Sequence, residues 1–158
     1  MRIEYFQLID RIVGLDLPGR KISGEATVPA QSTIFEGHFP GFPLMPGVLL
    51  IETMAQTSGW LVVAATGFVR MAFLASVKEA KFRTFVTPGQ VLSVTADLVH
   101  EGSGYAMTNA AITCDGRAIC NATLAFRVLD FPSPELAKHM FDTAARIGLQ
   151  TPEAATHG

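Results

Sequence analysis

Charge is what this chain has little of. Charged side chains make up 16% of its 158 residues, against 49% hydrophobic. The two signs nearly cancel, at a net charge of −2 and a pI near 6.0, so no overall field draws the chain to nucleic acid. Cysteine is scarce as well: Cys114 and Cys120 are the only two, too few for a structural zinc site. They flank Asp115-Gly116, which reads as a two-residue hairpin turn between alternating strands. Carried out from that turn, the register pairs Cys114 with Arg117, Ile119 with Ile112 and Cys120 with Ala111. The two thiols are then expected on opposite sheet faces, without a disulfide, in a reducing cytoplasmic setting. The start Met1-Arg2-Ile3-Glu4 lacks the basic-then-apolar pattern of a leader. The apolar run 48–69 has the length of a membrane span. However, Glu52, Thr53, Gln56, Thr57, Ser58, Gly59 and Thr66 interrupt it, which favours a buried helix over a span.

The scarcity of charge isolates one residue. Between positions 37 and 69 the only formally charged side chain is Glu52, and His38 lies fourteen positions before it. A carboxylate in so apolar a setting must find partners, reach water or hold a proton. A carboxyl that keeps its proton can act as a general acid, and a nearby imidazole is the usual base.

The length suits one domain with a substantial core. The apolar surplus points to a buried subunit interface. The sequence shows no repeat, low-complexity tract or linker. Strand-like character is expected near the end of 3–15, then over 21–28, 72–83, 91–101, 105–114 and 117–128. Pro18-Gly19, Pro88-Gly89, Gly102-Ser103-Gly104 and Asp115-Gly116 supply turns. Residues 29–46, with four prolines, read as loop. A helix apolar on nearly all faces should run from Gly47 to Ala65 or Gly67, enclosed by other structure. A second helix should start at Ser133-Pro134-Glu135 and end at Gly148, with the last ten residues frayed. One apolar helix with long antiparallel strands is an α+β arrangement, a sheet wrapped around the helix.

The residues around His38 and Glu52 suggest a division of labour. His38 sits among Gly37, Pro40, Gly41 and Pro43, which fix a loop and let other groups approach closely. Gly47 opens the helix, so its free N–H and the helix dipole could polarise a carbonyl oxygen. Gln56, one turn beyond Glu52, could hold its carboxyl. A base, an acid and an oxyanion donor within fifteen residues suit proton abstraction next to a carbonyl.

The segment GHFPGFPLMPGVLLIETMAQ closely resembles the signature of the FabZ-type 3-hydroxyacyl-[acyl carrier protein] dehydratases. LASVKEAKFRTFVTPGQVL and CDGRAICNATLAF look like later segments of the same family, and the resemblance covers about 3–129. It implies a hot-dog fold over 1–130; the expected C-terminal helix and tail over 131–158 lie beyond it. It also implies a homodimer or trimer of dimers, with His38 from one subunit and Glu52 from the other at each site. The implied activity is dehydration of a 3-hydroxyacyl group on acyl carrier protein to the trans-2-enoyl thioester in fatty acid biosynthesis. No metal or redox cofactor is implied. Glutamate at position 52 looks like the FabZ rather than the FabA type. Leu44, Met45, Phe73 and Leu74 are candidates to line an acyl tunnel, with plain core packing as the alternative for each. Lys78, Lys81 and Arg83 are candidates to dock an acidic carrier protein.

Three features depart from the family pattern: EYFQL near the start, Lys78 where an acidic residue is usual, and the C-terminal extension. They leave room for a specialised paralogue serving long-chain or envelope-lipid acyl groups. A hot-dog thioesterase, a non-catalytic acyl-binding module and an acyl-CoA hydratase stand as alternatives.

Overall fold

The computed structural model describes residues 1–151. Six antiparallel strands form one sheet in the order β1-β2-β4-β5-β6-β3. In chain order they are β1 (Arg11–Asp16), β2 (Lys21–Thr27), β3 (Arg70–Phe82), β4 (Val91–Gly102), β5 (Tyr105–Cys114) and β6 (Arg117–Asp130). The helices are α1 (Thr33–Gly37), α2 (Gly47–Ala65) and α3 (Pro134–Arg146). The sheet lays one face on α2. Leu92, Val94, Ala96 and Leu98 alternate inward from β4, and Ala106, Thr108, Ala110 and Ile112 from β5. This is the two-residue period of a sheet covered on one side.

The long apolar run is therefore the core. Met54, Leu61 and Val62 of α2 have no exposed surface, and truncating Met54 to Ala would cost about 2–5 kcal/mol. The polar side chains that enter this core are satisfied. Thr53 Oγ1 donates to the Leu49 carbonyl and Thr57 Oγ1 to that of Thr53. Thr108 Oγ1 donates to Ser58 Oγ at 2.9 Å, tying α2 to β5. The helix ends as the glycine at position 67 predicts. Gly67 takes a φ of 74°, its N–H reaches the Ala64 carbonyl, and that of Phe68 reaches Val63. This is the Schellman arrangement.

Three expectations need correction. Residues 29–46 are not all loop: α1 lies within them, capped by Ser32, whose hydroxyl accepts the Ile34 N–H. The hairpin register holds only for the first pairs after the turn. Cys114 pairs with Arg117 and Thr113 with Ala118, but a bulge then sets Cys120 opposite Ile112. The extra residue moves Cys120 onto the core face with Cys114. Both thiols are buried and free, and burial pushes that of Cys120 up to about 11. The chain is also ordered further than expected: Leu149 and Thr151 are buried. The rest of the tail expected to fray, 152–158, lies outside the described residues.

Candidate active site

Glu52 is half-buried on α2 and opens into a pocket of about 400 Å³. The α2 face that lines it is Glu52, Ala55, Gln56, Gly59, Trp60 and Val63, the i, i+3, i+4, i+7 stripe of one helix face. Gln56 organises this end. Its Nε2 lies 3.2 Å from Glu52 Oε1 and also donates to the Phe6 carbonyl at 2.7 Å, while its Oε1 accepts the Leu8 N–H. One amide thus fastens the N-terminal segment to α2 and holds one carboxyl oxygen of Glu52.

His38 is built into a different place. It ends α1, stacks on Phe39 with ring centroids 4.2 Å apart, and brings Nδ1 within 2.9 Å of the Leu44 carbonyl oxygen. A carbonyl only accepts, so Nδ1 carries the hydrogen and Nε2 keeps the free lone pair of the neutral ring. The far end of α1 is held by Glu4, which accepts from Ser32 Oγ at 2.6 Å and from the Thr33 N–H at 3.0 Å. These bonds, the Ser32 hydroxyl first, hold the Glu4 carboxyl at about 2.

Of the residues singled out from sequence, the structure brings Glu52 and Gln56 together. His38 does not line the Glu52 pocket. Gly47 stands at the start of α2 with no acceptor for its N–H among the described residues. A Cβ there would meet the Phe82 ring at 3.2 Å, so the ring packs closely over this glycine and would have to shift to admit a side chain. Leu44 and Met45 are buried and do not line the pocket, and neither does the half-buried Phe73, although Ala72 and Leu74 beside it do. Lys78 and Lys81 pair with Thr123 and Asn121, and Arg83 reaches Asn121 Oδ1 at 3.4 Å. These partners alternate with the core-facing Ala122 and Leu124, so the basic trio occupies the sheet face away from α2.

Sequence reasoning missed Tyr5, Phe6, Trp60, His139, Met140 and Arg146, all of which line the pocket. The α2 members could have been found by stepping along the helix from Glu52. The others arrive from distant elements and leave no local signal.

A curled antiparallel sheet around one buried helix, with an acidic group on that helix opening into a largely apolar pocket, defines the hot-dog class. A crystal structure of a hypothetical thioesterase with coenzyme A from Streptococcus pneumoniae shares this fold. Its TM-score is 0.60 at 17% identity, covering 78% of this chain and 88% of that one. At that identity the likeness concerns the fold alone. Sequence relationships reach further, since the FabA-like domain matches residues 2–123. The chain is 41% identical over 128 residues to the 3-hydroxyacyl-[acyl-carrier-protein] dehydratase FabZ of Acidiphilium cryptum, covering 79% of this chain and 77% of that protein. It is 38% identical over 122 residues to the FabZ of Vibrio cholerae, covering 75% and 79%. The chain belongs to the FabA-like family, alongside its FabZ dehydratases.

Proposed function

We propose that this protein dehydrates a 3-hydroxyacyl thioester carried on acyl carrier protein, giving the trans-2-enoyl thioester and water in fatty acid biosynthesis. His38 Nε2 removes a proton from C2, which the thioester carbonyl already acidifies. The Gly47 N–H, at the positive end of α2, steadies the oxygen as charge develops on it. Glu52, holding a proton on Oε2, passes it to the departing 3-hydroxyl, so the C3–O bond breaks and water leaves. His38 then holds the C2 proton and Glu52 is ionised, and exchange with solvent resets both. The observation that carries this reading is the hydrogen bond from His38 Nδ1 to Leu44, because it makes Nε2 the basic atom.

The reaction needs both groups at one substrate, yet His38 lies outside the Glu52 pocket of its own chain. A homodimer in which His38 of one copy meets Glu52 of the other resolves this. The surface supports it. β3 is an edge strand of thirteen residues, and Leu74, Val77, Phe82 and Phe85 beside or within it are exposed. An uncovered apolar edge is suited to pairing with a second copy. The buried position of α2 and the two free thiols fit a cytoplasmic enzyme, with Lys78, Lys81 and Arg83 as the docking face for an acidic carrier.

The test is product analysis on 3-hydroxyacyl-[acyl carrier protein]. Enoyl thioester with the carrier still attached is expected. Release of free carrier thiol would instead make the protein a thioesterase, and binding without turnover would make it an acyl-binding module.

A further inference from the structure

The family match ends at residue 123, yet the pocket that holds Glu52 does not. Its outer wall is α3, from the extension that follows. Met140 and Ile147 face the pocket with apolar surface, and His139, Thr143 and Arg146 bring polar atoms to its exposed rim. The helix is capped at its start and tied to the sheet at its end. Ser133 caps its start by accepting the Leu136 N–H. At its end the Ile147 carbonyl accepts the Ile12 N–H of β1 at 2.7 Å. Between them Phe141 packs on Phe131 with centroids 5.9 Å apart, and Ala144 is fully buried. Tied to β1 at its end and packed through Ala144, α3 forms part of the pocket wall.

The facing wall contains an unexplained glycine. Gly59 stands in the middle of α2, where glycine is a poorer helix former than alanine. A Cβ added there would meet nothing within 4 Å. No neighbour among the described residues requires the glycine, and the space over it belongs to the pocket. From Glu52 to Val63 the pocket floor extends about 16 Å along the helix axis. This is close to the ~15 Å depth of one leaflet of membrane hydrocarbon.

We propose that α3 is the chain-selecting wall of the acyl pocket: with the gap over Gly59 it admits an acyl chain of membrane-lipid length, which Met140 and Ile147 hold against α2. The identity of the occupant rests on the dehydratase reading, because Glu52 sits at one end of the same pocket and the reacting carbons must lie beside it. An apolar chain then has one direction in which to extend, between α2 and α3.

The test uses saturated, non-reacting dodecanoyl- and butyryl-pantetheine, with binding to the full chain measured by calorimetry. The wild type should prefer the longer ligand by at least about tenfold, the effect of burying roughly two extra methylenes. Met140→Asp should erase that preference and Met140→Leu should retain it. Gly59→Leu, on the opposite wall, should erase it independently, so the test survives if the aspartate variant does not fold. A preference unmoved by both Met140→Asp and Gly59→Leu, or no preference in the wild type, overturns the proposal. Turnover of 3-hydroxyacyl-[acyl carrier protein] by the wild type is read in parallel. If turnover fails while the preference responds as stated, the dehydratase reading falls and the α3 wall stands. The converse result removes the wall and leaves the reaction.

Discussion

Glu52 and His38 sit in contrasting surroundings. Glu52 is furnished by its own chain. It has a helix fixed in the core, an amide holding one oxygen, and walls from the N-terminal segment, β3 and α3. His38 has its ring oriented by Leu44, but around it lie uncovered apolar side chains: Phe39 is 49% exposed, Phe42 61% and Val48 72%. Apolar side chains left this open on the proline loop and at the start of α2 suggest that their partner is another molecule. On the proposed mechanism, the surroundings of Glu52 are complete in a single chain, and those of His38 are completed by a second copy.

The comparison breaks most directly at the two residues themselves. His38→Ala and Glu52→Gln should each lower turnover at least about 10²-fold, the scale of a general acid or base, while melting temperatures stay near that of the wild type. If only the Glu52 variant loses activity, His38 is a loop residue and the division fails.

A smaller effect is expected at the open edge. Phe85, 70% exposed, can be changed to Glu with little cost to the fold of one chain. Self-association measured by sedimentation should weaken at least about tenfold, and activity at low protein concentration should fall with it. Unchanged association would move the interface elsewhere.

Glu4 sharpens the contrast from the His38 side. Its carboxyl is held at about 2, below the ordinary 4.5, chiefly by the Ser32 hydroxyl and then by backbone N–H groups. A depressed carboxyl stabilises the fold above pH 4.5, and the contribution is lost as pH falls through about 2. Glu4→Gln should therefore melt below the wild type above pH 4.5, with the gap closing toward pH 2. A gap that stays constant with pH would show that these bonds add nothing to stability.

The docking face should give the smallest effect. Reversing charge at Lys81 and Arg83 should raise KM for carrier-bound substrate about threefold per residue, the scale of an exposed pair, and should spare a pantetheine substrate. The native rate should also fall with salt, since such attraction is screened within about 10 Å at 0.1 M. Equal losses on both substrates would make the trio structural.

Legibility from sequence followed the range of the interactions. The bounds of α2 were readable because Gly47 and Gly67 mark its ends and its apolar content marks its burial. Glu52 was readable because nothing charged surrounds it. The bulge beyond Asp115-Gly116 was not, because a turn sets only the nearest pairs, and the extra residue at Ile119 answers to core packing further along. The helix α1 escaped notice because it is only five residues long, and the Glu4 carboxylate that braces its Ser32 cap lies far back in the chain. The end of α3 was readable from Ser133 and Gly148, but its place over the pocket was not. That place depends on a bond to β1 that the local sequence does not encode.

Subunit mixing tests the shared site most directly. Inactive His38→Ala and Glu52→Gln proteins are combined, allowed to exchange, and assayed once mass spectrometry confirms heterodimers. Each heterodimer should contain one intact site, formed by His38 from one copy and Glu52 from the other. Random exchange of a two-fold dimer should then restore about a quarter of the wild-type rate. A mixture that forms heterodimers but stays as inactive as its parents would place both residues in one chain's site and contradict the account.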